Sequence, residues 1–156
     1  MKNIYFPDEE ITENDVYFVC YMIERVARKV HQKNKYVVNE MGVDNIARLL
    51  SNAPVLHCEN PLQVEDDICS EFNLSKGDFD ITNVNKVLCP NIPTELEIGK
   101  VYTRLVMSTL LPNENYAHAI IRVYNSPICE AIDNYNASAY YEPSYVIEKA
   151  YYNNCF

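Results

Sequence analysis

Residues 12–32 read TENDVYFVCYMIERVARKVHQ, and this stretch decides the fold class. Thr12 and Asp15 form the pattern of a capping box, with aspartate in place of the usual glutamate or glutamine, and so predict a helix N-terminus. Apolar residues then recur every three or four positions, as they do on the buried face of a helix: Val16, Val19, Cys20, Ile23, Val26, Ala27 and Val30. The stretch therefore predicts an amphipathic helix over 13–32.

Three further helices are expected in the first half of the chain. A short helix over 35–41 is expected to stop at Gly42, and the next helix, capped by Asp44, is expected to end before Pro54. Asn60 followed by Pro61 predicts a helix that runs to Asn73.

The second half of the chain repeats these start signals. Thr94 and Glu97 form a second capping box, which predicts a helix that ends near Leu111. A further helix is expected at 117–124, and two more after Ser126-Pro127 and Glu142-Pro143, each with proline at the first helical position.

Composition agrees with a helical fold. The chain has 156 residues, 48% of them hydrophobic, and only three glycines, whereas barrels and sandwiches need many tight turns. We expect an all-α protein, a compact bundle of about seven or eight short helices in one domain over 1–156. Residues 77–93 lack a helical period and form a candidate seam between two halves, and 86–89 is the one candidate strand.

The charge distribution is uneven. The net charge is −9, which disfavours direct binding to nucleic acid, yet five of the 13 basic residues form a basic cluster: Arg25, Arg28, Lys29, Lys33 and Lys35. Cations at the end of the first helix favour its macrodipole, and this stabilising role is one interpretation. The other is a partner contact made by Arg25, Arg28 and Lys29.

Targeting and cysteine patterns bear on the compartment. The N-terminal residues lack the apolar core of a signal peptide, and no run of 18 apolar residues follows, so we expect a cytoplasmic protein with no membrane contact. The six cysteines include no Cys-x-x-Cys pair. In a reducing compartment they are expected to be free thiols, with no disulfide and no metal.

Motifs that carry catalytic chemistry are absent: a phosphate-binding loop, a dinucleotide fingerprint, His-Glu-x-x-His and a nucleophile elbow. His57-Cys58-Glu59 places a thiol beside an imidazole and a carboxylate, but neighbours in sequence seldom have catalytic geometry, so a structural role before the Asn60 cap is favoured. We assign no catalytic, cofactor-binding or metal-binding residue.

Two surfaces are candidates for binding. One, the acidic face, consists of Glu59, Glu65, Asp66, Asp67, Glu71, Asp78 and Asp80, which could mimic nucleic-acid phosphates or pair with a basic partner. The other is a tyrosine-rich end with Tyr135, Tyr140, Tyr141, Tyr145, Tyr151 and Tyr152. Tyrosine is enriched in interface cores and also packs small protein cores. We predict that Tyr140, Tyr141 and Tyr145 contact a partner.

Four short stretches carry a family resemblance: 57–62 (HCENPL), 98–102 (IGKVY), 123–126 (VYNS) and 140–145 (YYEPSY). Through them the chain resembles a group of small, uncharacterised helical bacterial proteins. Some of these are encoded beside ADP-ribosyltransferase-like proteins in loci that resemble toxin–antitoxin modules. The resemblance supplies no catalytic residues. It implies an intracellular interaction protein, the neutralising member of a pair.

The sequence therefore favours a non-enzymatic binding protein without a cofactor, an antitoxin or inhibitor that sequesters a protein partner. One alternative is an acidic nucleic-acid mimic that blocks a DNA- or RNA-binding protein, and another is an enzyme of unrecognised type. The pattern leaves a homo-oligomer open.

Overall fold

The computed structural model describes all 156 residues and confirms the all-α fold. Its seven α-helices are α1 (Glu13–Val30), α2 (Asn34–Leu56), α3 (Pro61–Glu71), α4 (Glu95–Ser108), α5 (Tyr116–Tyr124), α6 (Ile128–Ile132) and α7 (Ser144–Asn153). Two single-turn 3₁₀ helices, Tyr135–Ala137 and Ala139–Tyr141, connect α6 to α7. Outside the helices, the only β-type pairing is an isolated bridge between Lys2 and Glu10.

Both predicted capping boxes are present. The Asp15 carboxylate accepts from the Thr12 amide at 2.7 Å, and the Glu97 carboxylate accepts from the Thr94 amide at 2.7 Å. Each contact satisfies an amide that the first turn of a helix leaves unpaired. Side chain and backbone together therefore fix where α1 and α4 begin.

The core is built around α1. This helix packs against α2, α3 and α4, and its predicted apolar stripe from Val16 to Val26 is fully buried. The buried residues form one continuous cluster, to which helices on both sides of 77–93 contribute. Helices α1 and α4 approach each other closely at Gly99, which lies against the backbone of Tyr21.

Helix α2 agrees with its prediction at Gly42 and differs from it at Pro54. Gly42 takes φ 74° and ψ 168°, which are not helical values, so a first helical limb ends there as predicted and a second limb follows it. Pro54 does not end the helix, which continues to Leu56. Pro54 has no amide to donate to the carbonyl of Leu50, so the helix continues past it with one hydrogen bond fewer.

The segment 77–93 contains no helix or strand. Residues 86–89, the candidate strand, form a turn, since the amides of Leu88 and Cys89 both donate to the carbonyl of Asn85. The segment is tied to the rest of the protein: the amide of Gly77 donates to the carbonyl of Val30 at 2.8 Å, and Ile81 is buried. The division into two halves stays a prediction.

Smaller boundary differences have local causes. Pro127 and Pro143 precede α6 and α7 as N-cap residues instead of occupying the first helical position. Helix α4 ends at Ser108, three residues before the predicted end. The hydroxyl of Thr109, the next residue, donates back to the carbonyl of Leu105 at 2.7 Å. None of the helices combines the length and apolarity needed to cross a bilayer.

Candidate functional site

The basic cluster is neutralised within the protein. Each of its five cations lies near a carboxylate: Arg25 at Glu65, Arg28 at Glu24, Lys29 at Asp66 and Glu65, and Lys33 and Lys35 at Glu130. The partner role of Arg25, Arg28 and Lys29 stays a prediction, and a partner would have to compete with these ion pairs.

Arg28 is the most deeply placed of the five. Its side chain is 14% exposed, and its Nε donates to the carboxylate of Glu24, which is 1% exposed, at 2.9 Å. Its Nη2 also donates to the carbonyl of Pro93 at 2.8 Å and to the hydroxyl of Tyr135 at 3.1 Å. Arg28 therefore holds α1 to the segment before α4 and to the 3₁₀ turn at 135–137, a structural role that helical periodicity did not predict.

The tyrosine-rich end divides into buried and exposed rings. Tyr135 is buried, and Tyr140 and Tyr151 are half-buried, whereas Tyr141 is 83% exposed and Tyr145 is 72% exposed. Neither exposed hydroxyl has a hydrogen-bond partner within the chain. Tyr141 lies in the 3₁₀ turn and Tyr145 in α7, so the two residues do not lie on successive turns of the same helix.

A groove runs between α4 and the segment that leads into α7. Its volume is about 460 Å³, and we call it the tyrosine groove, lined by Asn91, Ile92, Pro93, Glu97, Lys100, Val101, Arg104, Leu105, Tyr140, Tyr141, Glu142, Ser144 and Ile147. Tyr145 directly follows this lining. The structure thus brings Tyr140 and Tyr141, but not the basic cluster, to one concave surface.

His57 and Cys58 lie together at the exposed end of α2. The Cys58 sulfur is 3.6 Å from His57 Nε2, while His57 Nδ1 is 3.1 Å from the carbonyl of Ala53. The imidazole thus contacts the last turn of its own helix. No group of three or more His, Cys, Asp or Glu side chains is arranged to hold a metal ion.

The acidic face is partly occupied by internal contacts. Glu65 is buried and paired with Arg25 at 2.7 Å, Asp66 pairs with Lys29, and Glu71 lies 3.7 Å from Arg48. Glu65 is thereby withdrawn from the surface, whereas Asp66 and Glu71 stay exposed. No specific contact favours the nucleic-acid mimic over the binding protein.

Sequence reasoning missed a buried polar network, which is centred on Asn34. Its side-chain amide donates to Glu24 at 2.8 Å and to both oxygens of Asp133 at 3.2 Å. Tyr102 donates to Asp133 at 2.6 Å, and Tyr135 donates to Glu24. Five helical segments meet at these side chains.

Electrostatics in this network are unusual. Burial, followed by the nearby charge of Glu24, raises the pKa of Asp133 well above its ordinary value. The carbonyl oxygen of Asn34 is buried without a hydrogen-bond partner, as is the hydroxyl of Tyr124, whose ring stacks on Tyr102 at 4.1 Å. The network therefore joins one buried carboxylate, Glu24, to one half-buried carboxylate, Asp133.

One signal for this network was present in the sequence. Glu24 is four residues after Cys20 and three before Ala27, so it interrupts the apolar stripe of α1 with a carboxylate. Asp133 carried no such signal, because its partners Asn34 and Tyr102 are 99 and 31 residues away along the chain.

Comparison of the chain with protein-family models, curated proteins and solved structures found no match. The resemblance to small helical bacterial proteins stays a prediction.

Proposed function

We propose that this chain is a non-enzymatic binding protein that holds a protein partner at the tyrosine groove, as an antitoxin or an inhibitor does with its target. The observation that carries the proposal is the exposure of Tyr141 and Tyr145, 83% and 72%, beside a groove of about 460 Å³. Tyrosine is enriched among the residues that contribute most to protein–protein binding, so exposed tyrosine rings at a groove support a protein-binding role.

The choice of tyrosine supports a protein partner. A tyrosine ring offers a large apolar surface, while its hydroxyl stays hydrated in the free protein. Tyrosine also loses little conformational entropy on binding, since it has only two side-chain torsions. Ile92, Val101 and Ile147 extend the apolar surface into the groove.

Two cations indicate the charge of the partner. Lys100 and Arg104 are four residues apart on α4, both line the groove, and neither forms an ion pair within the chain. Of the two carboxylates in the lining, that of Glu97 is engaged by the helix cap at Thr94, 2.7 Å away. Free cations beside exposed rings favour a partner with acidic side chains at the contact.

Affinity capture from native cells tests the proposal with three baits: the unchanged protein, the double variant Tyr141→Ala/Tyr145→Ala, and Tyr152→Ala. Tyr152 is also exposed, at 60%, but it neither lines the groove nor adjoins a lining residue, so it is the matched control. By contrast, Tyr141 lines the groove and Tyr145 adjoins Ser144, which lines it. Mass spectrometry should find one protein held by the first and third baits and lost from the second. Calorimetry with that protein should show a loss of about 1–3 kcal/mol of binding free energy in the double variant.

Other outcomes separate the parts of the proposal. A partner that is kept by the double variant would place the contact elsewhere on the molecule. Sedimentation of the purified chain reports whether the surface binds a second copy, in which case the dimer should weaken in the double variant and not in Tyr152→Ala.

A further inference from the structure

A second cavity lies on another part of the molecule. It has a volume of about 260 Å³ and is formed by the start of α2, by residues 79–84 and by the stretch from 129 to 136. It shares no lining residue with the tyrosine groove. Its volume is slightly below the range of about 300–1,000 Å³ that is usual for ligand pockets, so the cavity has room for no more than a small molecule.

Three side-chain amides lie at this cavity. Asn83, Asn134 and Asn136 all line it. The side-chain amides of Asn83 and Asn134 make no hydrogen bond within the chain. The side chain of Asn136 uses only its oxygen, which accepts from the backbone amide of Asn85 at 2.8 Å. Each amide group both donates and accepts, so the rim presents hydrogen-bonding capacity of both kinds.

Asp133 belongs to the polar network around Asn34 and also lines the cavity. Its Oδ1 accepts from Tyr102 at 2.6 Å, whereas its Oδ2 has only the 3.2 Å contact with Asn34. Burial, followed by the charge of Glu24, raises the pKa of this carboxyl well above its ordinary value. A protonated Asp133 can donate to a ligand as well as accept from one.

The formal charges around the cavity largely cancel. Lys33 and Lys35 each lie 3.0 Å from Glu130, and Asp80 supplies a further carboxylate, one oxygen of which accepts from Thr82. No excess of cations is left for a phosphate or a carboxylate ligand. Phe79 is half-buried, with the Lys33 ammonium 5.6 Å from its ring centroid, and Tyr135 is buried, so the two rings form no slot for a planar base.

We propose that this cavity is a binding site for a small, neutral, polyhydroxylated molecule of the size of one sugar ring, held by hydrogen bonds to Asn83, Asn134 and Asp133. A hydroxyl group donates and accepts at once, which matches the amides and the carboxyl. This site is independent of the proposed protein partner.

Two-dimensional ¹H–¹⁵N NMR tests the site with four probes: glucose, galactose, mannose and ribose. We expect saturable shifts for at least one probe, with a Kd of about 1–10 mM, as is usual for a ligand with so few atoms. The shifts should include the side-chain amides of Asn83, Asn134 and Asn136. Glucose 6-phosphate is the charged counterpart and should bind more weakly than glucose.

Variants make the result specific. Asn134→Leu alters an exposed side chain and should weaken binding about two- to tenfold, the effect of losing one hydrogen-bonding group at a site open to solvent. Asn153→Leu, an exposed asparagine of α7 outside the cavity, should leave the Kd unchanged. The proposal is overturned if no neutral probe binds saturably up to about 50 mM, if the shifts lie elsewhere, or if only the phosphorylated sugar binds.

Discussion

Gly99 of α4 lies directly against the main chain of Tyr21 in α1: a Cβ atom at position 99 would be 2.9 Å from both the Cα and the nitrogen of Tyr21. The two helices approach so closely because glycine has no side chain. Main-chain atoms cannot rotate away as a flexible side chain can, so the distance between α1 and α4 depends on this residue.

Replacement of Gly99 by alanine should therefore destabilise the protein. Overpacking costs about 1–3 kcal/mol, and sometimes more, while alanine gains about 1 kcal/mol in helix propensity. We expect a net loss in the free energy of unfolding, measured by urea denaturation. Lys100→Ala, at the exposed neighbouring position, should change it by less than about 0.5 kcal/mol. Equal effects of the two changes would show that α4 moves away freely.

Charge reversal at Arg28 should also destabilise the fold. Arg28→Glu leaves the buried carboxylate of Glu24 without its cation and adds a second negative charge beside it, and breaking a buried pair costs about 3–5 kcal/mol. Lys35→Glu is the control, because Lys35 is exposed and an exposed pair contributes about 1 kcal/mol or less. Similar unfolding midpoints for both variants would contradict the structural role of Arg28.

The comparison of these two cations shows how far the sequence alone could lead. Helix type and the starts of α1 and α4 follow from local patterns, so Thr12 and Thr94 were predicted correctly. The environment of Arg28 is set by Pro93 and Tyr135, which are 65 and 107 residues away. Periodicity places Arg28 on the polar side of α1 but gives no information on what covers that side.

The exposed rings and the tyrosine groove were predictable to different degrees. The density of tyrosines around Pro143 marked Tyr141 and Tyr145 in the sequence, and both are exposed. The groove itself requires α4 to lie beside the segment 140–147, a tertiary contact without a local signal. The break at Gly42 was predictable, because glycine, which tolerates positive φ, is a local signal that ends a helical limb.

Asp133 should make stability fall as pH rises. Its folded pKa is raised, while its unfolded value is ordinary, about 3.9. Between these values the native state holds one proton more than the unfolded state, so the free energy of unfolding decreases by up to about 1.4 kcal/mol per pH unit.

Urea titrations of the unchanged protein and of Asp133→Asn from pH 4 to pH 8 isolate this effect. Glu114 and Glu130 have lowered pKa values, because they accept hydrogen bonds from Arg122 and from Lys33 and Lys35, and they produce the opposite trend in both proteins. Their contribution cancels in the difference between the two curves. As pH rises, the free energy of unfolding of the variant should increase relative to that of the unchanged protein. A decrease would mean that the fold stabilises Asp133 as a carboxylate.

Thiol reactivity should divide the six cysteines. Cys58 and Cys155 are exposed, Cys69 is half-buried, and Cys20, Cys89 and Cys129 are buried. Burial also raises the pKa of Cys20 to about 11 and that of Cys129 to about 12, which removes the reactive thiolate. Labelling of the native protein with a disulfide reagent should show two fast thiols and only one in Cys58→Ser. Fast labelling of a buried cysteine would indicate that the core opens readily.

The amide of Asn34 has a consequence for the folding of the chain. It reaches carboxylates from α1 and from the end of α6 at the same time, and only one rotation and one axial position of α2 allow this. A slip of α2 by one turn, about 5.4 Å, would take the Asn34 amide away from both carboxylates, and each would lose one of its hydrogen-bond donors. Apolar side chains would tolerate such a slip far better, since one methyl group replaces another at little cost. We infer that the network acts against misaligned packings, so that this small bundle selects one arrangement among several of similar hydrophobic content.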